Sequence, residues 1–174
     1  MIFAPAALQD LPALVDLING AYRGDNGQYG WTHEAEYLDG PRTSLEALEG
    51  DLLASPEAVL LTLRDAPLQE ILGCVWLEPA GEGVWYLGLL TVRVDQQNRH
   101  LGRTLLDGAE AEVRNRGGHR IRMTVVNLRD TLIEWYRRRG YEATGEVQDF
   151  PYGDHRFGTP TRDDLAFIVM EKAV

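Results

Sequence analysis

The sequence predicts an α/β fold of the α+β kind, a single mixed central sheet of about six to seven strands flanked by about four helices. Two observations carry this. Short apolar runs of strand type are interleaved with segments whose apolar residues recur at helical spacing, and one run, Val84 to Val94, is nearly continuously apolar, as a central strand covered on both faces should be. The next such run, Ile121-Arg-Met-Thr-Val-Val126, follows it through a helix, so the two should lie parallel, while runs joined by tight turns should be antiparallel. With 174 residues, of which 44% are hydrophobic, the chain can form one domain burying roughly 70% of its unfolded surface. No repeat, low-complexity tract or linker divides residues 1–174.

Taken in order, Ile2 to Ala4 forms a short first strand. Asp10 caps a helix with Leu11, Leu14, Val15, Ile18 and Tyr22 on one face, and Pro12 is tolerable in its first turn. Asn19-Gly20 to Gly24 ends that helix, and Asp25 to Gly30 is a loop by composition that leads into the large rings of Trp31 and Tyr37. Thr43-Ser-Leu-Glu46 reads as a capping box opening a second helix, with Leu45, Leu48, Leu52 and Leu53 as its apolar side. Val59 to Leu63 and Ile71 to Leu77 are strands, and Pro79 to Gly83 is a hairpin leading into the central strand. In the helix that follows, Leu101, Leu105, Ala109 and Val113 share a face and Gly117-Gly118 stops it. A short helix from Arg129 to Arg139 ends at Gly140, and Glu142 to Asp149 and Leu165 to Glu171 are closing strands.

Charge and cysteine usage exclude several classes. Lys and Arg number 17 and Asp and Glu 27, a net charge of −10 that repels nucleic-acid backbones and anionic membranes and suits a cationic amine. Cys74 is the only cysteine and sits in an apolar strand pattern, so no intrachain disulfide forms and a buried structural thiol is expected. No secretory leader and no apolar run of roughly 18 residues is present, which makes a cytoplasmic location the expectation. The scattered histidines, and the failure of His33-Glu-Ala-Glu-Tyr37 to match the zinc pattern His-Glu-x-x-His, predict no metal.

The functional information is concentrated between Leu87 and Tyr141. A strand running into a polar loop, Asp95 to His100, and then into a helix opening at Leu101-Gly102 brings free N–H groups and the positive end of a helix dipole to one spot, a ready-made phosphate site. It is not a P-loop, because Gly-x-x-x-x-Gly-Lys-Ser/Thr is absent. It is not a dinucleotide fingerprint either, because the only Gly-x-Gly, Gly81-Glu-Gly83, lacks the third glycine and reads as a turn. What remains is Gln97-Asn-Arg-His-Leu-Gly102 followed by Arg103-Thr104. This resembles the acetyl-CoA loop of the GCN5-related N-acetyltransferase (GNAT) superfamily, Gln/Arg-x-x-Gly-x-Gly/Ala, with His100 in place of the first glycine. The strand Leu89 to Val94 and the block Asn127 with Tyr136-Arg-Arg-Arg-Gly-Tyr141 are similar to the family's strand and its Asn...Tyr-x-x-x-Gly-Phe/Tyr block, two residues longer than its common spacing. Gly30 to Ala35, Leu38 to Thr43 and Phe157 to Asp164 also resemble a bacterial subgroup of the family whose substrate the sequence does not name.

The resemblance implies a GNAT fold over residues 1–174 and acetyl transfer from acetyl-CoA to an amine. The backbone of Val92, Arg93 and Val94 would hold the pantetheine arm, and Gln97, Asn98, Arg99, His100, Leu101, Gly102, Arg103 and Thr104 the pyrophosphate. Arg99 and Arg103 would add charge there or simply be solvated helix-end arginines, and Arg137 to Arg139 reads as a solvated helix end. Asn127 would contact the cofactor or cap a helix. Tyr136 would give a proton to the departing thiolate or serve as a core aromatic. Tyr29, Trp31, Glu78 and Tyr86 are the candidate substrate contacts, with the Gly30 to Leu38 segment either capping the cleft or anchoring on the core. The central strand lacks the family's glutamate, so the general base stays open among Glu78, Asp149 and His155. Three functions fit: an N-acetyltransferase of a small primary amine, acting in a ternary complex and compatible with a homodimer; a protein N-terminal or lysine acetyltransferase; and a non-catalytic acyl-CoA-binding protein.

Overall fold

The computed structural model describes residues 1–24 and 33–174, without the side chains of Gln97, Asn98 and Phe157. Among these residues the chain forms four α-helices and a seven-stranded mixed sheet in the order β1-β3-β4-β5-β6-β9-β7, beside a two-stranded ribbon of β2 and β8. The strands of the sheet are β1 (Ile2–Pro5), β3 (Val59–Arg64), β4 (Gly73–Gly81), β5 (Val84–Val92), β6 (Arg120–Val126), β7 (Glu142–Asp149) and β9 (Ala166–Ala173); the ribbon is β2 (Leu38–Asp39) with β8 (Thr159–Pro160). The helices are α1 (Leu11–Arg23), α2 (Leu45–Ala54), α3 (Leu101–Asn115) and α4 (Asp130–Arg137). None of the described helices is long and apolar enough to cross a membrane.

The alternating burial of the strands distributes two cores. Leu61, Val75, Leu87 and Met123 face α3 and α4, where Leu101, Leu105, Ala109 and Val113 form the expected stripe. Leu60, Cys74 and Trp76 face α1 and α2 through Leu14, Ile18 and Leu48. Burying a Leu or Ile side chain contributes about 1.5–3 kcal/mol, so these two layers hold the helices on the sheet. Cys74 is fully buried, as expected, and burial pushes its thiol up to about 12.

Three local readings are corrected. The cap of α2 is Ser44, one residue later than the Thr43 box, and its Oγ accepts from Ala47 N at 3.1 Å. Leu45 and Leu53, placed on the apolar side, are 40% and 82% exposed, because the shifted start turns only Leu48 and Leu52 inward. Asp10 occupies the N-cap position of α1, yet its carboxylate accepts from Ala7 N at 2.9 Å and from Arg64 Nη2 at 2.6 Å, tying the helix entrance to β3 instead of capping.

The junction of β5 and β6 positions the site. The hairpin is tighter than Pro79 to Gly83, with Gly81 opposite Val84, and Gly83 at φ +67° lies so close to the His119 ring that a Cβ there would come within 2.3 Å of it. Gly83 O accepts from His119 N at 2.8 Å and Arg120 N at 3.2 Å, which seats the start of β6 against the hairpin tip. From there β5 and β6 run parallel, but only as far as Val84–Arg120, Trp85–Ile121 and Tyr86–Arg122. Beyond Tyr86 they part.

Candidate active site

The gap between the parting strands is a cavity of about 420 Å³, floored by Leu87 to Leu90 of β5 and Met123 to Val126 of β6. Its outer walls are Tyr22, Glu34, Leu38 and Arg42 on one side and Gln148 to Pro151 on the other. Within it β5 carries a bulge: Cys74 pairs with Thr91 and Trp76 with Gly88, so Leu89 and Leu90 oppose the single residue Val75. Leu89 has φ +49°, a conformation that costs a bulky residue about 1–3 kcal/mol and is held by its surroundings. Thr91 Oγ1 donates to Leu89 O at 2.8 Å and the Cys74 thiol lies 3.8 Å from the same oxygen. The bulge breaks the ladder where it meets the cavity floor.

Tyr136 of α4 and Tyr86 of β5 both line this cavity. Tyr136 is 5% exposed and meets the rings of Trp135 and Tyr141 edge-on at 5.1 and 5.7 Å. Among the described residues its hydroxyl has no hydrogen-bond partner, and burial holds its proton well above the ordinary phenol range. Tyr86 Oη lies 3.3 Å from Thr124 Oγ1 across the gap. Tyr22 faces them, pushed up to about 12 by burial, with the Arg42 guanidinium opposing that shift from 5.5 Å over its ring. Tyr136 and Tyr22 are therefore hydrogen-bond donors at neutral pH, or acceptors that keep their proton.

The loop after β5 winds as a 3₁₀ turn, Val94–Arg99, and His100 then takes the left-handed conformation at φ 57°, ψ 20°, where the family has glycine. No side chain caps α3; Arg103 N and Thr104 N donate to His100 O, so the N–H groups of Leu101 and Gly102 precede the first intrahelical bond. Val92 ends β5 and Arg93 N donates to Leu72 O. The charged side chains of the loop are committed elsewhere. Arg93 pairs with Asp95 and Glu70, and Arg99 forks onto Asp65 at 2.8 and 3.1 Å, whose carboxyl it holds below the usual range. Arg103 lies 3.7 Å from Asp107. Gln97 and Asn98 belong to this turn by their backbone.

Other expected contacts are distributed differently. Asn127 Oδ1 accepts from Ala166 N at 3.0 Å and its Nδ2 donates to Asp164 O at 3.0 Å, so the amide ties β6 to the start of β9; the cap position of α4 is Arg129. Glu78 pairs with Tyr86 across β4 and β5 but is not among the residues lining the cavity, nor is His155, whereas Asp149 is. Tyr29 and Trp31 lie outside the described residues. No sequence pattern signals the Glu34–Arg129 ion pair, whose partners are 95 residues apart. Glu34, 8% exposed, accepts from Arg23 Nη1 at 3.1 Å and from Arg129 Nη1 at 3.4 Å, tying α1 to the start of α4.

Among the described strands the sheet has one parallel seam, and it splits along that seam beside a helix start that no side chain caps. Residues 12–141 match the model of the acetyltransferase (GNAT) family, and the chain belongs to that family. It is an acyl-CoA-dependent acetyltransferase with acetyl-CoA as cosubstrate. Solved structures share the fold. Ribosomal-protein-alanine N-acetyltransferase from Brucella melitensis is 20% identical, with 100% of both chains covered and a TM-score of 0.72. PaiA N-acetyltransferase from Thermoplasma acidophilum, in complex with coenzyme A, is 18% identical over 99% of this chain and 98% of its own, with a TM-score of 0.67. An aminoglycoside 6'-N-acetyltransferase complexed with coenzyme A is 21% identical over 99% and 97%, also at 0.67. No curated protein matches the chain in sequence.

Proposed function

We propose that this chain transfers the acetyl group of acetyl-CoA directly to a primary amine of a small molecule, both substrates being held together in the gap between β5 and β6. The cavity of about 420 Å³ carries this reading, because it has the size of small-molecule sites and is lined by Tyr22, Leu38 and Arg42 as well as by the two strands. Acetyl-CoA supplies an acyl group already activated as a thioester. The uncapped amides of Leu101 and Gly102, at the positive end of α3, suit its pyrophosphate, and the left-handed His100 turns the chain so that they face one spot. The backbone of Val92 to Val94 suits the pantetheine arm as an added strand. Arg99, spent on Asp65, would contribute through its main chain.

Within the cavity, the bulge at Leu89 and Leu90 offers main-chain groups to the reacting carbonyl, and such preorganised dipoles cost no reorganisation during reaction. Tyr136 Oη keeps its proton in the fold, so it can hydrogen-bond the leaving sulfur and pass that proton to it as the carbon–sulfur bond breaks, the phenolate then taking up the proton that the newly bonded nitrogen sheds. Asp149, on the cavity wall, is the carboxylate that would receive the incoming ammonium, since Glu34 is already shared between two arginines. The test is thiol release from acetyl-CoA with a panel of small primary amines and with peptides bearing free N-termini or lysines. Turnover of small amines with peptides inert is expected; efficient peptide turnover with the amines inert would replace this reading by protein acetylation, and no turnover with intact CoA binding would leave a binding protein.

A further inference from the structure

The run Arg137 to Arg139 is not uniformly solvated. Arg137 pairs with Glu134 on the surface, but the chain turns back after it, with Arg139 N donating to Tyr136 O at 2.9 Å and Gly140 N to Arg137 O at 3.0 Å. This folds the Arg139 guanidinium flat onto its own helix: its Cζ is 3.6 Å from the centroid of the Trp135 ring and its Nη1 donates to Trp135 O at 2.8 Å. Its Nε is buried with no acceptor among the described residues. A buried N–H left without a partner costs about 1–3 kcal/mol, so the position calls for an explanation. The charges around it sharpen the point. Burial opposes its positive charge, Arg138 and Arg103 act in the same direction, and Asp107 and Tyr136 act against them. Arg103 and Asp107 stand on the first turns of α3, beside the uncapped amides. In a chain of net charge −10, a stacked guanidinium with an orphaned donor, opposed by Arg138 at the end of α4 and by Arg103 at the start of α3, is arranged to receive an anion.

We propose that Arg139, stacked on Trp135, and Arg103 form the seat for the 3'-phosphoadenosine end of CoA, the guanidinium fork meeting the 3'-phosphate and its flat outer face the purine. This rests on the reading that the start of α3 holds the pyrophosphate. The chemistry matches on both counts, because a planar guanidinium binds phosphate with paired N–H groups and stacks on flat rings, whereas a lysine would do neither as well. Seating the phosphate also offsets the mutual repulsion of Arg103, Arg138 and Arg139.

Calorimetric titration with CoA and with 3'-dephospho-CoA separates the two ideas. The wild-type protein should bind CoA about 10- to 100-fold more tightly than the dephospho form, the range expected of charge-assisted hydrogen bonds. Arg139→Gln should shrink the CoA-to-dephospho-CoA difference to about twofold or less, with a smaller loss, up to about tenfold, for dephospho-CoA from the lost stacking on the purine. Arg103→Gln, at an exposed side chain whose loss does not threaten folding, should remove part of the same difference. Equal affinities for the two ligands in the wild type, or an equal loss of both in either variant, would overturn the seat while leaving the pyrophosphate site standing. Failure of the folded wild type to bind either ligand would overturn both.

Discussion

At the scale of single residues the reaction depends on where protons sit. Tyr136 is buried in an aromatic cluster yet borders the cavity, and its phenol is of use only when charge develops on the leaving sulfur. Tyr136→Phe keeps the ring and the packing, so kcat should fall by about 10²- to 10⁴-fold with CoA affinity and melting temperature nearly unchanged. Single-turnover rates would check it; wild-type chemistry in the variant would assign the proton to another donor. His100 poses the opposite question, since it occupies a left-handed position where glycine carries no penalty. His100→Gly should preserve CoA binding in a calorimetric titration. A loss of about 100-fold would instead make the imidazole a phosphate ligand. Both positions were visible in the sequence because a short pattern surrounds them. Arg139 was not, since nothing in a run of three arginines distinguishes the one that folds back onto Trp135.

At the scale of elements, the periodic patterns located the central strand, the loop, α3 and the parallel partner β6, because burial imposes its period on consecutive residues. They could not locate the bulge, which depends on contacts between strands: Leu89 holds φ +49° where Thr91 and Cys74 meet its carbonyl. Nor could they find the Glu34–Arg129 pair, whose partners are 95 residues apart and belong to no repeating pattern. The same long-range logic makes the bulge testable. Thr91→Val is nearly isosteric but removes the donor to Leu89 O in a fully buried site, and should cost about 1–3 kcal/mol of stability in a urea titration. If the bulge also shapes the reacting site, turnover should fall in that variant while CoA affinity holds.

At the scale of the whole molecule, buried acids set an alkaline limit. Tyr22, raised from 10.0 to about 12, and Cys74, raised from 9.0 to about 12, both keep their protons in the fold after the unfolded chain has released them. Stability should therefore be full below pH about 9 and decline as pH rises toward about 12, each such group removing up to about 1.4 kcal/mol per pH unit. Denaturant midpoints measured across that range should fall, and Cys74→Ala should delay the onset from about pH 9 to about pH 10. A further consequence follows from the seam of three residue pairs that joins β5 to β6. It divides the sheet into two leaves, β1-β3-β4-β5 and β6-β9-β7, fastened at the end where Gly83 meets His119 and separated at the other. A molecule fastened so asymmetrically should breathe about that end, and amide hydrogens at the open ends of β5 and β6 should exchange with solvent sooner than those of β3 and β4. CoA lying between the leaves would supply the rungs that the protein omits. Hydrogen exchange with and without CoA should then show protection on both leaves at once, which makes the cosubstrate a temporary strand of the sheet that holds it.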